Sequence, residues 1–356
     1  MKLNNFWDKK RVLLTGHTGF KGSWMLLWLL NLNAKVTGFS IDCGVSDNLF
    51  SQIYPSIKDD FTHKLGDIND FENLKTIVKK FKPDIVFHFA AQALVRESYI
   101  NPLETWETNV LGSLKLLNAL NNIENNCSVV MITTDKVYKN NEWIYGYREI
   151  DSLGGHDPYS ASKAAAELAI NSWRNSFAGN KRHQKPNIFI ASARSGNVIG
   201  GGDWSKDRIF PDAIRALINQ EKILVRNKES TRPWQHVLDP LFGYLTLAEK
   251  LSHNENKYCD SFNFGPGLQS NKSVEVLVET ILTYWNGSWE DLKIKEDFHE
   301  AGLLNLNIDK ANKILDWRPK WDFQCSVQKT VEWYKNTHAG QDPYQACLKD
   351  IYSFIN

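Results

Sequence analysis

Val12-Leu-Leu-Thr-Gly16-His-Thr-Gly19-Phe-Lys-Gly22-Ser-Trp24-Met-Leu-Leu-Trp-Leu-Leu30 decides the fold. Val12–Leu14 is a short apolar run of the kind a buried strand shows, and Gly22 to Leu32 reads as an apolar helix. Between them the glycines make G-x-x-G-x-x-G. The first permits a tight turn, the second lets the backbone approach a pyrophosphate, and the third lets the helix pack closely on the strand. The helix N-terminus adds unpaired N–H groups and a positive dipole end. Gly16, Thr18, Gly19, Phe20 and Gly22 are therefore candidate contacts to a dinucleotide.

Outward from this turn, strand-like and helix-like stretches alternate. Lys35–Ser40 reads as a strand, and another is expected just before Leu65. Asp70–Phe81 reads as an amphipathic helix, Ile85–Phe89 as a strand and Leu103–Leu120 as one long helix. Val129–Thr133 reads as a strand, Ser160–Phe177 as a helix and Ile188–Ala191 as a strand. Repeated βα units of this kind specify an α/β fold with a Rossmann-type doubly wound parallel sheet. After about residue 195 the regularity fades, and Gly, Pro, Trp and Arg become frequent up to Gln235. A smaller, mixed C-terminal substrate lobe over the sheet's carboxyl edge is expected there. The predicted division is 1–193 with 223–262 for the dinucleotide domain, 194–222 with 263–340 for the substrate lobe, and 341–356 as a C-terminal tail.

The bulk numbers set limits. Lys and Arg total 42 against 41 Asp and Glu, so the chain lacks the basic excess of a nucleic-acid binder. Cys43, Cys127, Cys259, Cys325 and Cys347 form no C-x-x-C pair, which argues against a disulfide framework and against a structural metal site. The apolar run Trp24–Leu30 is too short to span a bilayer, and the first ten residues have no apolar signal core. No membrane contact and a cytoplasmic location are expected.

Asp42 lies twenty residues past Gly22, just beyond the second strand, where a carboxylate can bond ribose hydroxyls and repel a 2′-phosphate. No arginine occurs between Val36 and Asn48, which points to NAD rather than NADP. Asp67 and Ile68, after the next strand, are placed to meet the adenine. Further on stands Asp157-Pro-Tyr159-Ser-Ala-Ser-Lys163. Asp157 suits an N-cap and Pro158 the first helical position. Tyr159 and Lys163 then share one helix face. A tyrosine near its free pKa of about 10 is a poor base at neutral pH. An adjacent ammonium and a positively charged cofactor ring favour its phenolate.

These features together resemble the extended short-chain dehydrogenase/reductase family. The likeness rests on the glycine turn, the Ala90-Ala91-Gln92 loop, Asn109, Thr134 and the Tyr159/Lys163 pair, and it covers nearly the whole chain. Within that family, Gly16-His-Thr-Gly-Phe-Lys-Gly-Ser-Trp24, Ala90-Ala-Gln-Ala-Leu-Val-Arg96, Thr134-Asp135-Lys136, Gly196-Asn-Val-Ile-Gly-Gly-Gly-Asp-Trp204 and Arg232-Pro-Trp-Gln-His236 are similar to the sugar-nucleotide 4,6-dehydratases of the cytidine-diphosphate branch. The resemblance implies NAD used catalytically on a nucleotide-sugar substrate. It also implies that Ala90, Ala91, Gln92, Asn109, Tyr159 and Lys163 contact the cofactor. Tyr159 would take the proton of the sugar 4-hydroxyl, Thr134 would bond the 4-oxygen, and Asp135 would protonate the leaving 6-hydroxyl. Most such dehydratases carry glutamate where this chain has Lys136; the lysine either removes the C5 hydrogen or orients the sugar or a water.

Arginine forks suit a diphosphate, and Arg96, Arg194, Arg208, Arg226 and Arg232 are candidate substrate contacts. The resemblance adds Asn197 and the late pair His299-Glu300, followed by a run, Gly302-Leu-Leu-Asn305, more apolar than that branch usually shows. Trp204 and Trp234 either stack on the base or pack. Family likeness also implies a homodimer or larger homo-oligomer, with Leu103–Leu120 and Ser160–Phe177 as candidate contact helices. A nucleotide-sugar 4-epimerase is the rival within this fold, but it has no use for an acid at Asp135. A non-catalytic NAD-binding regulator is the rival from another class, and it would not need the Tyr159/Lys163 pair.

Overall fold

The central strands of the first half are apolar on both faces, and the sheet uses both. The computed structural model describes residues 5–42, 48–121, 123–178, 188–253, 256–292 and 303–356. The first half runs β1 (Arg11–Thr15), α1 (Phe20–Asn31), β2 (Lys35–Ser40), α2 (Leu49–Ile57), β3 (Thr62–Leu65), α3 (Phe71–Phe81) and β4 (Ile85–His88). It continues with α4 (Val95–Ile100), α5 (Pro102–Trp106), α6 (Ser113–Leu120), β5 (Cys127–Thr134), α7 (Pro158–Phe177) and β6 (Ile188–Ser195). Then come β7 (Val198–Ile199), α8 (Ile209–Ile218), β8 (Ile223–Val225), β9 (Thr231–Pro233), β10 (Gln235–His236) and α9 (Leu238–Leu251). The chain closes with β11 (Ser261–Phe264), β12 (Asn271–Ser273), α10 (Val274–Tyr284), β13 (Trp289–Asp291), α11 (Asp309–Leu315), α12 (Phe323–His338) and α13 (Pro343–Ile355).

Seven strands form one parallel sheet in the order β11-β6-β5-β4-β1-β2-β3. The progression reverses between β1 and β4, so the carboxyl ends of these two strands open the crevice where such sheets bind ligands. Successive residues point to opposite faces. Leu13, Val86, Val129, Met131 and Ile190 meet Leu74, Ile77, Leu116 and Ile170 from α3, α6 and α7. Val12, Leu14, Phe87, Val130, Ile132 and Ala191 meet the other layer, built from α1, α9, α12 and α13 among others. Burial on both faces is why these strands read as continuous apolar runs.

Three expectations need correction. Leu103–Leu120 is helical but is not a single α-helix: α5 passes through a wider π-helical stretch, Glu107–Gly112, before α6 begins. The segment expected as a C-terminal tail is helix α13, capped by Asp342, whose side chain accepts from the Tyr344 N–H at 3.0 Å. Its Ala346, Cys347, Ile351 and Phe354 are buried, and Phe354 packs edge-on against Trp28 of α1 at 5.7 Å. The region after residue 195 is also more regular than the sequence suggests, since α8 to α13 occupy much of it.

A tail would tolerate truncation of its side chains; a core helix would not. Phe354→Ala is expected to cost about 3–5 kcal/mol, read as a lowered urea midpoint with unchanged slope. A midpoint equal to that of the parent chain would return this segment to the surface.

Candidate active site

The phosphate turn is shaped by what it leaves out. Gly16 has φ +73°, and a Cβ there would lie 2.6 Å from the Ala90 nitrogen. A Cβ at Gly22 would lie 2.1 Å from the Gly16 carbonyl oxygen, so α1 rests directly on the turn. At Gly19, by contrast, a Cβ would meet only that oxygen, at 3.4 Å. The N-terminus of α1 thus faces open space, as a pyrophosphate cradle requires. Thr18 spends its hydroxyl on the chain, bonding Ser40 Oγ at 2.7 Å and the Ile41 carbonyl at 3.1 Å. Phe20 packs against the core. Asp42 is exposed just past β2, and Asp67 is exposed past β3 with its carboxylate on the Asn69 N–H at 2.8 Å. Ile68 is buried beneath Gly112.

Ala90, Ala91 and Gln92 follow β4 at the same edge. Asn109 sits in the π-helical stretch and ties this loop to α7: its amide accepts from the Gln92 N–H at 2.9 Å and donates to Ser162 Oγ at 2.9 Å. Helix α7 begins with a full capping box between Asp157 and Ser160. Ser98 of α4 accepts the next free donor, the Tyr159 N–H, at 3.1 Å.

Tyr159 and Lys163 thereby come to the ends of β5 and β6, beside Thr134, Asp135 and Lys136. Burial raises the Tyr159 phenol to about 12; its hydrogen bond with Thr134 pulls the other way, Asp135 pushes it up and Arg208 draws it down. Lys163 Nζ donates to the Ile132 carbonyl at 3.2 Å, and burial lowers its ammonium to about 8 against the pull of Glu167. Asp135 is 1% exposed, with Oδ1 taking the Thr134 hydroxyl at 2.9 Å and Lys136 Nζ at 3.4 Å. Lys136 Nζ also donates to Asn197 Oδ1 at 3.2 Å. Catalytic candidates from β5, the turn after it, α7 and the strand-end after β6 therefore share one cluster.

Lys21 belongs to this cluster and was passed over in the sequence. Its Nζ donates to Ser195 Oγ at 2.8 Å, and the same oxygen takes the Tyr244 hydroxyl at 2.8 Å. Burial lowers the Lys21 ammonium to about 7; Arg208, Lys136 and Lys163 push it further down, while Asp135 opposes them. Its signal was positional: it precedes the third glycine, in the first turn of α1, and so points along the strand ends.

The arginines divide. Arg208 Nη1 pairs with Asp203 Oδ2 at 3.0 Å, and its charge reaches both Tyr159 and Lys21. Arg96 and Arg226 both pair with Asp207. Arg232 lies on β9 with Nη1 on the Thr231 carbonyl at 2.9 Å. Arg194 is a correction. It is 3% exposed, and its fork grips Glu167 at 3.0 and 2.9 Å while also reaching the Tyr138 hydroxyl and Ser261. A guanidinium so engaged has no donor pattern left for a diphosphate. Burial alone would raise the Glu167 carboxyl, but Arg194, Thr133 and Ser192 hold it at about 2. Trp234 is buried with Nε1 on the Lys272 carbonyl at 2.9 Å, and Trp204 packs edge-on against Tyr334 at 5.1 Å. His299 and Glu300 lie outside the described residues. Among the described residues no group of His, Cys, Asp and Glu is arranged to hold a metal ion, and no helix is long and apolar enough to cross a membrane.

Comparison with known proteins places this geometry. The family model of GDP-mannose 4,6-dehydratase matches residues 13–330. The chain belongs to that family. It is similar to the CDP-glucose 4,6-dehydratase of Salmonella typhimurium, with 44% identity over 99% of this chain and 98% of that enzyme. Among solved structures, a dTDP-glucose 4,6-dehydratase from Bacillus anthracis in complex with NAD superimposes with TM-score 0.76 at 23% identity, covering 94% of this chain and 99% of that one. A UDP-glucose 4-epimerase from Thermotoga maritima superimposes with TM-score 0.75 at 21% identity, covering 92% and 99%. Dehydratases and epimerases thus share the fold, and side chains must separate them.

Removing one partner of a buried ion pair leaves the other uncompensated. Glu167→Ala is therefore expected to destabilise the chain by about 3–5 kcal/mol, measured by denaturant unfolding. A raised KM without loss of stability would instead return Arg194 to the substrate.

Proposed function

We infer that the chain catalyses the NAD-dependent dehydration of CDP-D-glucose to CDP-4-keto-6-deoxy-D-glucose. The observation that carries this reading is Asp135, a buried carboxylate bonded to Thr134 and ion-paired with Lys136. An epimerase oxidises and reduces C4 alone and has no task for it. The identity with the Salmonella enzyme supports the same reaction and the cytidine nucleotide.

The turn residues Gly16, Gly19 and Gly22 with the α1 N-terminus would hold the pyrophosphate of NAD, Asp42 the adenosine ribose, and Lys163 the nicotinamide ribose. Bound NAD would supply the acceptor for the C4 hydride and the donor that returns it to C6. Tyr159 takes the 4-hydroxyl proton, helped by the Thr134 hydrogen bond that opposes the effect of burial. The new 4-ketone acidifies the C5 hydrogen. Elimination then needs a base at C5 and an acid at the 6-oxygen. Asp135 and Lys136 stand 3.4 Å apart as a carboxylate and an ammonium. One proton moved from Lys136 to Asp135 yields an amine and a carboxylic acid, with no change in the pair's net charge. The amine removes the C5 proton, the acid protonates the 6-hydroxyl, and water leaves. The Lys136 ammonium returns its proton to C5 as C6 is reduced, and the proton that Tyr159 took from the 4-hydroxyl replaces the one Asp135 gave to the departing water.

Exposed Leu103 and Leu111 on the long helical stretch and exposed Leu168 on α7 support the reading that these helices meet a second copy of the chain. The free thiols of Cys127, Cys259, Cys325 and Cys347 fit a reducing cytoplasm.

Incubation with CDP-, dTDP-, GDP- and UDP-glucose tests the substrate: the CDP sugar alone is expected to give a 4-keto-6-deoxy product. Asp135→Asn should still oxidise C4 but stall before water loss, so that mass spectrometry finds no 6-deoxy sugar. Lys136→Met should lose solvent deuterium exchange at C5; exchange and turnover at the parent rate would leave Lys136 only an orienting role. Thr134→Val removes a bond that favours the phenolate. The rising limb of the pH–rate profile should move up by about one unit, a loss of roughly tenfold at neutral pH. An unshifted limb would detach Thr134 from the base.

A further inference from the structure

The signature Gly200-Gly-Gly-Asp-Trp204 has no task of its own in the reaction, yet three helices, α1, α2 and α12, close on it. The Trp24 indole of α1 donates to the Gly201 carbonyl at 3.0 Å. A Cβ at Gly201 would overlap the Trp333 ring of α12, and one at Gly202, where φ is +81°, would lie 2.8 Å from the Leu49 side chain of α2. The Tyr334 hydroxyl donates to the Asp203 carbonyl at 2.6 Å. Trp24, Leu49, Asp203, Trp333 and Tyr334 are all buried. Interiors pack as densely as organic crystals, so a turn enclosed in this way keeps one geometry.

What the turn presents is a carboxylate. Asp203 Oδ1 takes the Ser205 N–H at 3.1 Å, and Oδ2 takes Arg208 Nη1 at 3.0 Å. Arg208 precedes α8, and its charge acts on the Tyr159 phenol and on Lys21. Other groups face the same phenol. Asp135 after β5 and Asp157 at the start of α7 disfavour its phenolate, and the Thr134 hydroxyl favours it. Lys163 stands one turn further along α7. Arg208 is a cation that reaches Tyr159 from outside that helix.

We propose that the Gly200–Trp204 turn is a positioning element for the catalytic base: it fixes Asp203, Asp203 fixes Arg208, and Arg208 stands as a fixed positive charge acting on Tyr159. Trp24, Asp203 and Tyr334 are then positioning residues. This rests on the reading of Tyr159 as the base at the 4-hydroxyl. A cation on a loose surface tether spreads its effect over many positions. One tied to a buried carboxylate, in a turn of single geometry, keeps its effect on one phenol. A charge already in place when the proton moves costs no reorganisation at that moment. The effect adds to that of Lys163 and requires no contact between Arg208 and the substrate.

The test reads the phenol itself. Tyrosine isotopically labelled at Cζ, with the Tyr159 signal assigned through Tyr159→Phe, reports phenol and phenolate by NMR in the NAD-loaded protein without substrate. Arg208→Gln and Asp203→Asn should each raise the midpoint of that titration by about half a unit to one unit. The double variant should add nothing to the larger single shift. Arg208→Lys, which keeps the charge, should stay closer to the parent. Tyr334→Phe keeps the ring but frees the Asp203 carbonyl, and should raise the midpoint by less. In turnover the rising limb of kcat/KM against pH should follow, a loss of about three- to tenfold at neutral pH. A role confined to packing or to holding substrate would lower activity at every pH and leave the midpoint in place. An unmoved or lowered midpoint in Arg208→Gln, or in an Asp203→Asn protein that still unfolds cooperatively, overturns the proposal. Failure of the function reading looks different: no nucleotide sugar is turned over, while the Tyr159 titration still responds to Arg208 and Asp203.

Discussion

Glu167 is the constraint on which the site depends. It lies on α7 one turn beyond Lys163 and two beyond Tyr159. Its carboxylate is taken by Arg194 and Ser192 from β6 and by Thr133 from β5, with Ser261 of β11 at 3.4 Å. One side chain thus fastens the catalytic helix to three adjacent strands. Burying an ion is costly unless every lone pair is met, and here the partners come from elements that only the finished sheet brings together. The arrangement is all or nothing, so α7 has one position along the sheet. That position sets Tyr159 at the strand ends, and the same carboxylate supports the charge of Lys163 against burial.

The chain's near-neutral total conceals a strongly uneven distribution. Lys21, Lys136, Lys163 and Arg208 crowd the carboxyl ends of β1, β5 and β6, answered locally by Asp135 and Asp203. Burial, with repulsion from Arg208, Lys136 and Lys163, lowers the Lys21 ammonium to about 7. Such a cluster suits an anionic substrate whose sugar must lose and regain protons at several atoms. It also leaves two amines, Lys21 and Lys163, whose ammonium forms burial disfavours.

How much of this was legible in the sequence depends on range. Features fixed by neighbours in the chain could be read: the glycine spacing, the Asp157-Pro158 start of α7, and strands that are apolar because both faces are covered. Features fixed by distant partners could not. Arg194 looked like a ligand arginine because it stands among loop-forming residues, yet Glu167, twenty-seven positions away, claims it. Helix α9 was hidden by Pro240 and Gly243 and by being apolar on all sides, since it lies buried under the sheet. Helix α13 offered only a short amphipathic pattern, and its partner Trp28 is more than three hundred residues earlier. Lys21 was masked by the motif around it, whose reading concerned glycines.

The fold itself does not choose between exchanging a configuration at C4 and expelling water across C5–C6, since structures of both kinds superimpose on this chain equally well. Both chemistries need a tyrosine, a lysine and a hydroxyl at the 4-oxygen, and α7 with the end of β5 supplies them. On the proposed mechanism the difference comes from the short turn Asp135–Val137, which opens as β5 ends. There the chain places an acid and an amine on adjacent residues, within a proton's reach of each other and one residue from the hydroxyl that bonds Tyr159. A glutamate in place of Lys136 would set two carboxylates side by side, and one of them would have to stay protonated for the pair to work. With lysine the pair is neutral as a unit whichever partner holds the proton. On the proposed mechanism the lysine therefore keeps a base and an acid available together, and reaches this through an ion pair.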